Sequence, residues 1–386
     1  MPSRKVIPAV ALVACAATLV LGVSMRARAV DSPRLHVPRG FTIDAVAHVA
    51  RARELAAAPN GDLIVGTGGR DVAIVPDAEG TPGAPHRFAT LPDGPAAGVA
   101  FAPGTLYIGS QFGIWRVPYR PGDASAASPP VRIASVRPSG ISRDHVTTSV
   151  AYADGHLYAS VGSSCDACDP ELDATRATVQ EMAPDGSGMH PRAERIRNAV
   201  ALTANPHTGA VWALPNGQDA LAHGHPYEIG DPVTAHAGVP NYGWPHCYED
   251  RRKVEAGADC STVVVPRLIM PAYDAPIGAA VYPERERGDY AFPSSYAGGL
   301  FVALHGSWHT PLVAPRVVFV PLDGDRPKTP PDWNDPTTQW REFVGGYQSE
   351  SGDRAGRPTG IAVGSKGSLF VADDDAGVIY RIRPAK

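Results

Sequence analysis

The sequence lacks the features that indicate a helical or a nucleic-acid-binding protein. No amphipathic run of four helical turns occurs after the N-terminal segment. Lys and Arg together number 35 against 39 Asp and Glu, and the absence of a basic stripe argues against a nucleic-acid partner. Cysteine is scarce, with five residues in 386. The chain instead has 40 Gly and 39 Pro scattered between short apolar runs, a composition typical of many short strands joined by turns.

The one long apolar run lies at the N-terminus. Residues 1–29 combine a basic start, an apolar run over 6–23 and an Ala-Arg-Ala site at 27–29, which predicts a secretory signal peptide. The run is long enough that an uncleaved membrane anchor is an alternative, and the sequence ending at Cys15 resembles a lipoprotein cleavage site. In each case we expect residues 30–386 to be periplasmic or secreted, where thiols persist mainly as disulfides.

Four cysteines remain once Cys15 leaves with the signal peptide. They form two local pairs, Cys165 with Cys168 and Cys247 with Cys260. A zinc site of four cysteines would need a second close pair, and a thioredoxin-like dithiol would need a βαβ context that the sequence does not show. We therefore predict the disulfides Cys165–Cys168 and Cys247–Cys260. Such short loops contribute about 2–3 kcal/mol each, so we expect the first bridge to shape a loop.

Six segments of the chain share one pattern: a short apolar strand, a Gly-containing turn and a second apolar strand. They begin at Leu55, Val99, Val150, Val200, Gly278 and Ile361. Each unit is too small to bury its own faces, whereas six units arranged radially bury them against one another. No stretch resembles an interdomain linker. The sequence therefore predicts an all-β fold, a six-bladed β-propeller over residues 30–386, with a β-sandwich or a solenoid as the alternative.

Strand direction predicts where the functional residues lie. In an antiparallel blade, the residues that lead into the first strand and those that follow the second lie on one face, and the Gly turns lie on the other. The residues that lead into first strands are Arg53, Glu54, Arg143, Asp144, His145, Arg197, Asn198, Arg354 and Arg357. The segments that follow second strands are 163–169, 215–219, 305–308 and 373–375. We expect them to converge at the mouth of the central channel, where loops on a rigid scaffold usually carry function.

These residue types indicate an anion receptor with a general base. Guanidinium groups bind carboxylates bidentately, and His145 is a candidate base because its reference pKa lies near the working pH. Taken singly, an Arg at a propeller rim is more often solvated or ion-paired, and a lone His is more often structural. The common position of His145, Arg197 and Arg357 is what indicates a site. The Cys165–Cys168 bridge would then fix a rim loop beside His145. The alternative is a surface disulfide with no functional neighbour.

Four stretches of this chain resemble the glucose/sorbosone dehydrogenase family, the soluble sugar dehydrogenases that depend on pyrroloquinoline quinone (PQQ). They are "DHVTTSVAYADGHLYASVGSSCDAC", "RIRNAVALTANPHTGAVWALPNGQD", "NYGWPHC" and "RPTGIAVGSKGSLFVADDDAGVIYRI". The similarity extends over most of residues 36–386, and the second and third stretches are fairly specific in this order and spacing. The motifs "GSSCDAC" and "HGSW" are more similar to the L-sorbosone dehydrogenase branch than to the glucose branch.

The resemblance implies a role for each matching position. His145 would take the proton of the sugar hydroxyl as hydride passes to the quinone, with Asp144 and Arg197 beside it. Backbone carbonyls of Gly217 and Gln218 would hold Ca²⁺ against the quinone oxygens, since a hard cation prefers oxygen ligands. Other positions would contact the cofactor, whose three carboxylates require cations. These cofactor-binding positions are Arg197, Asn198, Asn216, Gly217, Arg354, Arg357 and His305.

Two positions depart from the family pattern. Pro215 stands where an acidic residue is common, and "HT" follows "HGSW" where a basic residue is expected, so His305 or His309 would have to serve there. The implied activity is PQQ-dependent oxidation of a sugar such as an aldose or L-sorbosone, with electrons passed to a cytochrome or the quinone pool. A membrane contact would come only from an uncleaved N-terminal segment.

Two other function classes remain open at the level of sequence. A metal-dependent sugar lactonase would surround its metal with Glu, Asn and Asp, whereas the residues at this channel mouth are mostly Arg and His. A non-catalytic propeller that binds a glycan or a protein would need neither quinone nor His145. Titration with quinone and Ca²⁺ distinguishes the dehydrogenase from both.

Overall fold

The structure, a computed structural model, describes residues 35–138, 144–219, 227–285, 288–307, 312–349 and 351–385. Regular structure in these ranges consists of β-strands and two short 3₁₀ helices, Val233–Ala235 and Ser294–Tyr296. None of the described helices is long and apolar enough to cross a membrane. The predicted signal segment 1–29 lies outside these ranges and stays a prediction.

Six four-stranded antiparallel sheets form the six blades of a β-propeller, which confirms the predicted fold class. The described chain opens with β1 (Phe41–His48). Blade one contains β2 (Ala52–Ala57), β3 (Leu63–Thr67), β4 (Asp71–Val75) and β5 (His86–Thr90). Blade two contains β6 (Gly98–Ala102), β7 (Thr105–Gly109), β8 (Gly113–Pro118) and β9 (Val131–Ser135). Blade three contains β10 (Thr148–Ala153), β11 (His156–Val161), β12 (Thr178–Met182) and β13 (His190–Glu194).

The second half of the chain repeats the same plan with one insertion. Blade four contains β14 (Ala201–Ala204), β15 (Val211–Leu214), β16 (Glu228–Pro232) and β17 (Leu268–Met270). Blade five contains β18 (Pro276–Val281), β19 (Leu300–Leu304), β20 (Arg316–Val320) and β23 (Arg341–Val344), with the small hairpin β21 (Leu322–Asp323) and β22 (Arg326–Pro327) inserted. Blade six contains β24 (Pro358–Val363), β25 (Leu369–Asp373) and β26 (Val378–Pro384).

Blade six is completed by the start of the chain. β1 pairs antiparallel with β26, in a register that runs from Phe41 opposite Pro384 to His48 opposite Val378. The ring is therefore closed by a strand pair whose members come from the two ends of the described chain. The repeat pattern does not predict β1, because this strand lies outside the six sequence units.

The packing of the blades explains the strand sequences. The second strand of each blade, such as β19 with the sequence LFVAL, is buried almost along its whole length because blades cover both of its faces. The inner strands approach the next blade closely at glycines. A Cβ atom at Gly98 would collide with the Thr148 carbonyl oxygen, and one at Gly278 with that of Thr359. Glycine thus lets neighbouring inner strands meet just below the channel mouth.

Both predicted disulfides are confirmed. Cys165 is bonded to Cys168 with 5.6 Å between the Cα atoms, and Cys247 is bonded to Cys260 with 5.8 Å. The first bridge lies in the loop between β11 and β12, and the second closes a loop between β16 and β17. Neither bridge joins two blades, so their effects are local to blades three and four.

Candidate functional site

The segments predicted to share one face contact each other across blade boundaries. Arg53 and Glu54 lie within the bulge of β2 and not before the strand as predicted, because β2 begins at Ala52. Arg53 donates from Nη1 to Asp374 Oδ2 at 2.9 Å, which joins blades one and six. Arg357, before β24, donates from Nε to the carbonyl oxygen of His305 at 3.2 Å, which joins blades six and five. The structure therefore brings together the residues that lead into first strands and the segments that follow second strands.

His145 lies three residues before β10 in a constrained backbone. Its φ of 47° is in the left-handed region, which is uncommon for a residue with a side chain and is concentrated at functional sites. The buried Arg137 stabilises this conformation, because its Nη2 donates to the carbonyl oxygens of His145 and Thr147, each at 2.8 Å. Sequence reasoning did not assign Arg137 a role, since nothing local marks an arginine that will be buried.

The hydrogen bonds of His145 fix its tautomer. Nδ1 lies 3.1 Å from the carbonyl oxygen of Ser163 and 2.9 Å from its Oγ. The Ser163 hydroxyl donates its proton to the carbonyl oxygen of Cys165 at 2.7 Å. Nδ1 faces two acceptors and must carry the proton, which leaves Nε2 with an open lone pair. Burial lowers the pKa of His145 to about 4, and the nearby charge of Arg197 acts in the same direction. The imidazole is therefore neutral at pH 7 and can accept a proton.

One residue inside the first disulfide loop connects the motif stretches of the sequence. The carbonyl oxygen of Asp166 accepts from Arg197 Nε at 3.1 Å and from Trp244 Nε1 at 2.9 Å. Its Oδ1 accepts from Arg197 Nη2 at 2.7 Å and from the Asp219 amide at 2.8 Å. "GSSCDAC", "RIRN", "NYGWPHC" and "PNGQD" thus meet at Asp166. Sequence reasoning placed this loop at the rim but missed the role of Asp166, whose partners come from distant loops.

Arg197 is buried, with 5% of its side chain exposed, and is paired with acids. Its Nη2 contacts Asp166 Oδ1 and also Asp219 Oδ2 at 3.2 Å, and its Nη1 donates to the Asn216 carbonyl oxygen at 3.3 Å. The resemblance implies that Arg197 contacts the cofactor. In this chain two carboxylates already balance its charge, so it supplies less net positive charge to an anionic ligand than an unpaired arginine would.

Asn198 and Asn216 extend the same cluster. Asn198 Nδ2 donates to Asn216 Oδ1 at 3.4 Å, and Asn216 Nδ2 donates to the Pro276 carbonyl oxygen at 2.9 Å. A Cβ atom at Gly162 would lie 2.5 Å from both Asn198 Oδ1 and His145 Cβ. Because Gly162 has no side chain, Asn198 and His145 can lie side by side.

The carbonyl oxygens of Gly217 and Gln218 are the candidate calcium ligands. Within the described parts of the chain, the carbonyl oxygens of Gly217 and Gln218 accept no hydrogen bond. The loop is fixed from behind by Glu228, whose Oε2 accepts from the Gly217 amide at 2.6 Å and whose Oε1 accepts from the Tyr273 amide at 3.1 Å. Burial raises the pKa of Glu228 to about 8. Sequence reasoning missed this residue, although an acid at the start of a buried strand was a signal.

On the opposite side of the mouth, arginines hold the turn after β19. Arg357 donates from Nη2 to the Gly306 carbonyl oxygen at 3.3 Å, and Arg354 donates to the carbonyl oxygen of Ser307 and from Nε to Gln348 Oε1 at 3.0 Å. Burial lowers the pKa of both guanidinium groups.

His305, in the same turn, does not supply a cation at neutral pH. Its Nε2 is 3.0 Å from Asp374 Oδ1, and burial lowers its pKa to about 4. Asp144, the first residue of the described range 144–219, is exposed. Arg143, Trp308 and His309 lie outside the described residues.

A cavity of about 420 Å³ opens among these side chains. Its lining includes three guanidinium groups and two carboxylates, together with Val146 and Thr147, which directly follow His145. The lining residues are Arg51, Arg53, Gly68, Pro95, Val146, Thr147, Arg357, Asp374 and Asp375. Below it, the inner strands surround a central cavity of about 270 Å³ lined mainly by small apolar residues and by Glu54, whose pKa burial raises to about 8.

This donor set fits a flat tricarboxylate with a hard cation. The guanidinium groups at the 420 Å³ cavity can bind carboxylates. Gly217 and Gln218, which line a second cavity with Arg197 and Asn216, have carbonyl oxygens of the type that calcium prefers. Across the described ranges, no group of three or more His, Cys, Asp or Glu side chains could hold a metal ion. A cation here would therefore depend on backbone carbonyls and on the bound ligand itself.

Comparisons with known proteins agree with this fold. The sequence profile of a family described as TrAA12-like matches residues 247–385. The PQQ domain of pyranose dehydrogenase from Coprinopsis cinerea, in its holo form, superposes with a TM-score of 0.76 at 19% identity, covering 91% of this chain and 97% of that one. The calcium structure of the Carbohydrate-Active Enzymes family AA12 protein from Trichoderma reesei gives 0.75 at 19% identity, with 92% and 98% covered.

Two further relatives are more distant or shorter in overlap. The PQQ-bound aldose sugar dehydrogenase from Streptomyces coelicolor superposes with a TM-score of 0.58 at 18% identity, covering 90% and 99% of the two chains. An uncharacterised protein from Borreliella burgdorferi is 28% identical over 192 residues, 48% of this chain. The match spans 47% of the length of that curated relative. The structural neighbours of this chain thus include PQQ-dependent sugar dehydrogenases and AA12 proteins, and at these identities the likeness shows a common six-bladed fold.

Proposed function

We propose that this chain is an exported, PQQ- and calcium-dependent sugar dehydrogenase, within the branch that includes L-sorbosone dehydrogenase. The observation that carries the proposal is His145, a partly buried imidazole that is neutral at working pH and has an unprotonated Nε2; it lies near Arg197 and directly precedes two residues that line the arginine-rich cavity. The site needs a base that is unprotonated at working pH and a receptor for carboxylates. The PQQ-containing neighbours support it by having the same fold.

The chain's own groups divide the work as follows. His145 Nε2 takes the proton of the sugar hydroxyl, while Nδ1 keeps its proton and the bond to Ser163 keeps the ring oriented. Arg357 and Arg354 bind the carboxylates of the quinone. The carbonyl oxygens of Gly217 and Gln218 hold Ca²⁺, and Asn198 and Asn216 orient the cofactor edge. When bound, the quinone accepts the hydride and the cation polarises the reacting carbonyl.

The remaining parts of the proposal concern location and partners. The two disulfides suit an oxidising compartment, in agreement with a signal segment at 1–29 and a periplasmic or secreted protein. The substrate would be an aldose or an L-sorbosone-like sugar, and the electrons would pass to a cytochrome or the quinone pool.

Reconstitution tests this function. Purified protein is titrated with PQQ, with and without Ca²⁺, and dye reduction is then followed with a panel of sugars. We expect saturable quinone binding that a chelator weakens, and dye reduction that depends on both quinone and sugar. Protein that folds correctly but binds no quinone under either condition would contradict the proposal and favour a glycan- or protein-binding propeller.

A further inference from the structure

An exposed guanidinium group that pairs with none of the described residues lies at the edge of the 420 Å³ cavity. The side chain of Arg51, just before β2, makes no hydrogen bond or ion pair to any described residue. Arginines at this mouth otherwise bind carbonyl oxygens or carboxylates, as Arg53 and Arg357 do. An unpartnered guanidinium on a cavity wall has all its donors available to a ligand.

The local backbone supports this placement of Arg51. Its φ of 56° is left-handed, a conformation that side-chain residues adopt mainly where the surroundings impose it. Gly68, directly after β3, lies against the side chain, because a Cβ atom there would be 2.9 Å from Arg51 Nε and 3.0 Å from Nη2. Glycine at position 68 therefore leaves the space that the guanidinium occupies.

The charge of the cavity indicates the kind of ligand. Arg51, Arg53 and Arg357 line the cavity together with Asp374 and Asp375, which leaves one positive charge in excess before a quinone carboxylate binds at Arg357. Asp374 is engaged by Arg53 and by His305. The whole chain has a net charge of −4, so a positively charged cavity is a local feature. Its volume lies within the range of small-molecule sites, about 300–1,000 Å³.

The cavity also reaches the catalytic region. Val146 and Thr147 line its wall and follow His145 directly. We propose that Arg51, supported by Arg53, binds an anionic group of the sugar, so that the substrate is an acidic sugar carrying a carboxylate or a phosphate. This inference rests on the proposed dehydrogenase function and narrows its substrate class. The Arg51 guanidinium could equally bind a carboxylate of the quinone. The experiment must therefore distinguish an anionic group of the sugar from a carboxylate of the cofactor.

The test measures sugar binding by calorimetry on the full chain, first without quinone and then with PQQ and Ca²⁺ bound. The probes are glucuronate, glucose 6-phosphate and glucose. We expect one acidic sugar to bind at least about tenfold more tightly than glucose, because hydrogen bonds to charged groups are the stronger ones. Added salt should reduce this preference.

Variants assign the preference to Arg51. Arg51→Gln should lower the affinity for the acidic sugar about tenfold or more and leave that for glucose unchanged. Arg51→Gly, which adopts the left-handed backbone freely, should behave in the same way and so excludes backbone strain as the cause. Arg87→Gln, at an exposed position in β5 of the same blade, is the matched control and should change neither affinity.

Two results would overturn the inference. One is equal affinity for glucose and both acidic sugars. The other is an Arg51→Gln variant that weakens PQQ binding and not acidic-sugar binding, which would assign Arg51 to the cofactor. Sugar binding is also measured without quinone, so an Arg51-dependent preference for acidic sugars can be detected even if the protein binds no quinone. Failure of this inference is therefore distinguishable from failure of the proposed dehydrogenase function.

Discussion

The two sides of the channel mouth are held in place by different means. The histidine half comprises residues 144–145, 163–169, 197–198 and 215–219, from blades three and four. The arginine half comprises residues 51–53, 305–307, 354–357 and 373–375, from blades five, six and one. The histidine half contains a disulfide, and Asp166 and Asp219 balance its buried arginine. The disulfides of the described chain lie outside the arginine half, whose guanidinium groups mainly bind carbonyl oxygens.

This difference indicates that the two halves have separate functions, proton acceptance in the histidine half and anion binding in the arginine half. A group that must accept a proton needs fixed geometry and surroundings that keep it unprotonated at the working pH. A group that must bind an anion needs positive charge that the protein has not already neutralised. The histidine half meets the first requirement and the arginine half the second. Each half contains a partly buried histidine whose pKa is lowered to about 4, His145 and His305, so substitutions at both test the division directly.

The largest effect is expected for His145→Ala. Removing a general base typically costs on the order of 10²–10⁴ in rate, so turnover should fall by this factor while PQQ affinity stays close to that of the unmodified protein. His305→Gln should show the reverse pattern, a change in cofactor affinity with a smaller loss of turnover, because His305 contacts Asp374 on the wall of the arginine-lined cavity. Single-turnover reduction and cofactor titration separate the two parameters.

His156→Ala serves as the control for His145→Ala. His156 is exposed on β11 of the same blade and is remote from the mouth, so its removal should change neither parameter. Turnover that survives in His145→Ala but is lost in His305→Gln would reverse the assignment of the two halves.

The next effect is expected at Asp166, which we regard as a positioning residue. Asp166→Ala removes the carboxylate that holds Arg197 and the Asp219 amide, and small displacements of positioning groups cost up to about 10²-fold in rate. Asp166→Asn keeps one acceptor oxygen and should recover part of the loss. The readout is kcat against KM: we expect kcat to fall and KM to change little. Equal losses in Asp166→Ala and Asp166→Asn would show that the ion pair, not the acceptor geometry, matters.

The fold could be predicted from the sequence because the pattern that marks each blade lies within a short stretch of the chain. The alternation of the inner two strands and the Gly turn between them is contained within about a dozen residues, as in "VAFAPGTLYIGS". β1 was missed because its partner β26 lies at the other end of the chain. The local pattern of residues 41–48 does not specify which strand it will pair with.

The site shows the same limit. Strand direction was sufficient to predict that His145, Arg197 and Arg357 share one face, because antiparallel pairing fixes the face of every loop. In the structure Arg197 contacts the loop beside His145, and Arg357 lines a cavity with Val146 and Thr147. The pairing of Arg197 with Asp166 and Asp219, and the support of Gly217 by Glu228, arise only when loops from separate parts of the chain meet. That Arg51 pairs with none of the described residues is likewise a property of the assembled mouth.

Substitution of one arginine in each half, Arg357 and Arg197, tests the comparison of the two halves through PQQ affinity and turnover. Arg357→Gln removes a guanidinium that no carboxylate in the described chain pairs with, so PQQ affinity should fall about 10- to 100-fold, the range for a charge-assisted hydrogen bond. Arg197→Gln removes a guanidinium whose charge is already balanced, so its effect on PQQ affinity should be smaller and its effect on turnover larger. Cofactor titration by fluorescence measures the first and stopped-flow reduction the second. A larger affinity loss in Arg197→Gln would refute the division.

The pH dependence of kcat/KM tests the environment of His145. Because its pKa is about 4, the base stays neutral above about pH 5, and the acid limb should lie near pH 4 instead of at the ordinary value of 6.5. Arg197 lowers this pKa and Asp166 raises it. Arg197→Gln should therefore move the acid limb to higher pH, and Asp166→Asn should move it to lower pH. Shifts of the same sign in both variants would contradict this electrostatic account.

The smallest effect on turnover is expected when the two disulfides are compared. Closing a loop of about 4 residues constrains the unfolded chain by about 2 kcal/mol, and a loop of about 14 residues by about 3 kcal/mol. Cys247→Ser/Cys260→Ser should therefore lower the melting temperature more than Cys165→Ser/Cys168→Ser, by a few degrees at most in a domain of this size.

The loss of activity should follow the opposite order. The first bridge encloses Asp166 and adjoins Ser163, which orients His145, so its removal should reduce kcat several-fold, whereas removal of the second should leave kcat close to that of the parent protein. Thermal unfolding and steady-state kinetics on both double variants measure the two orders. If both quantities change in the same order, the first disulfide acts on global stability alone and the histidine half does not depend on it for geometry.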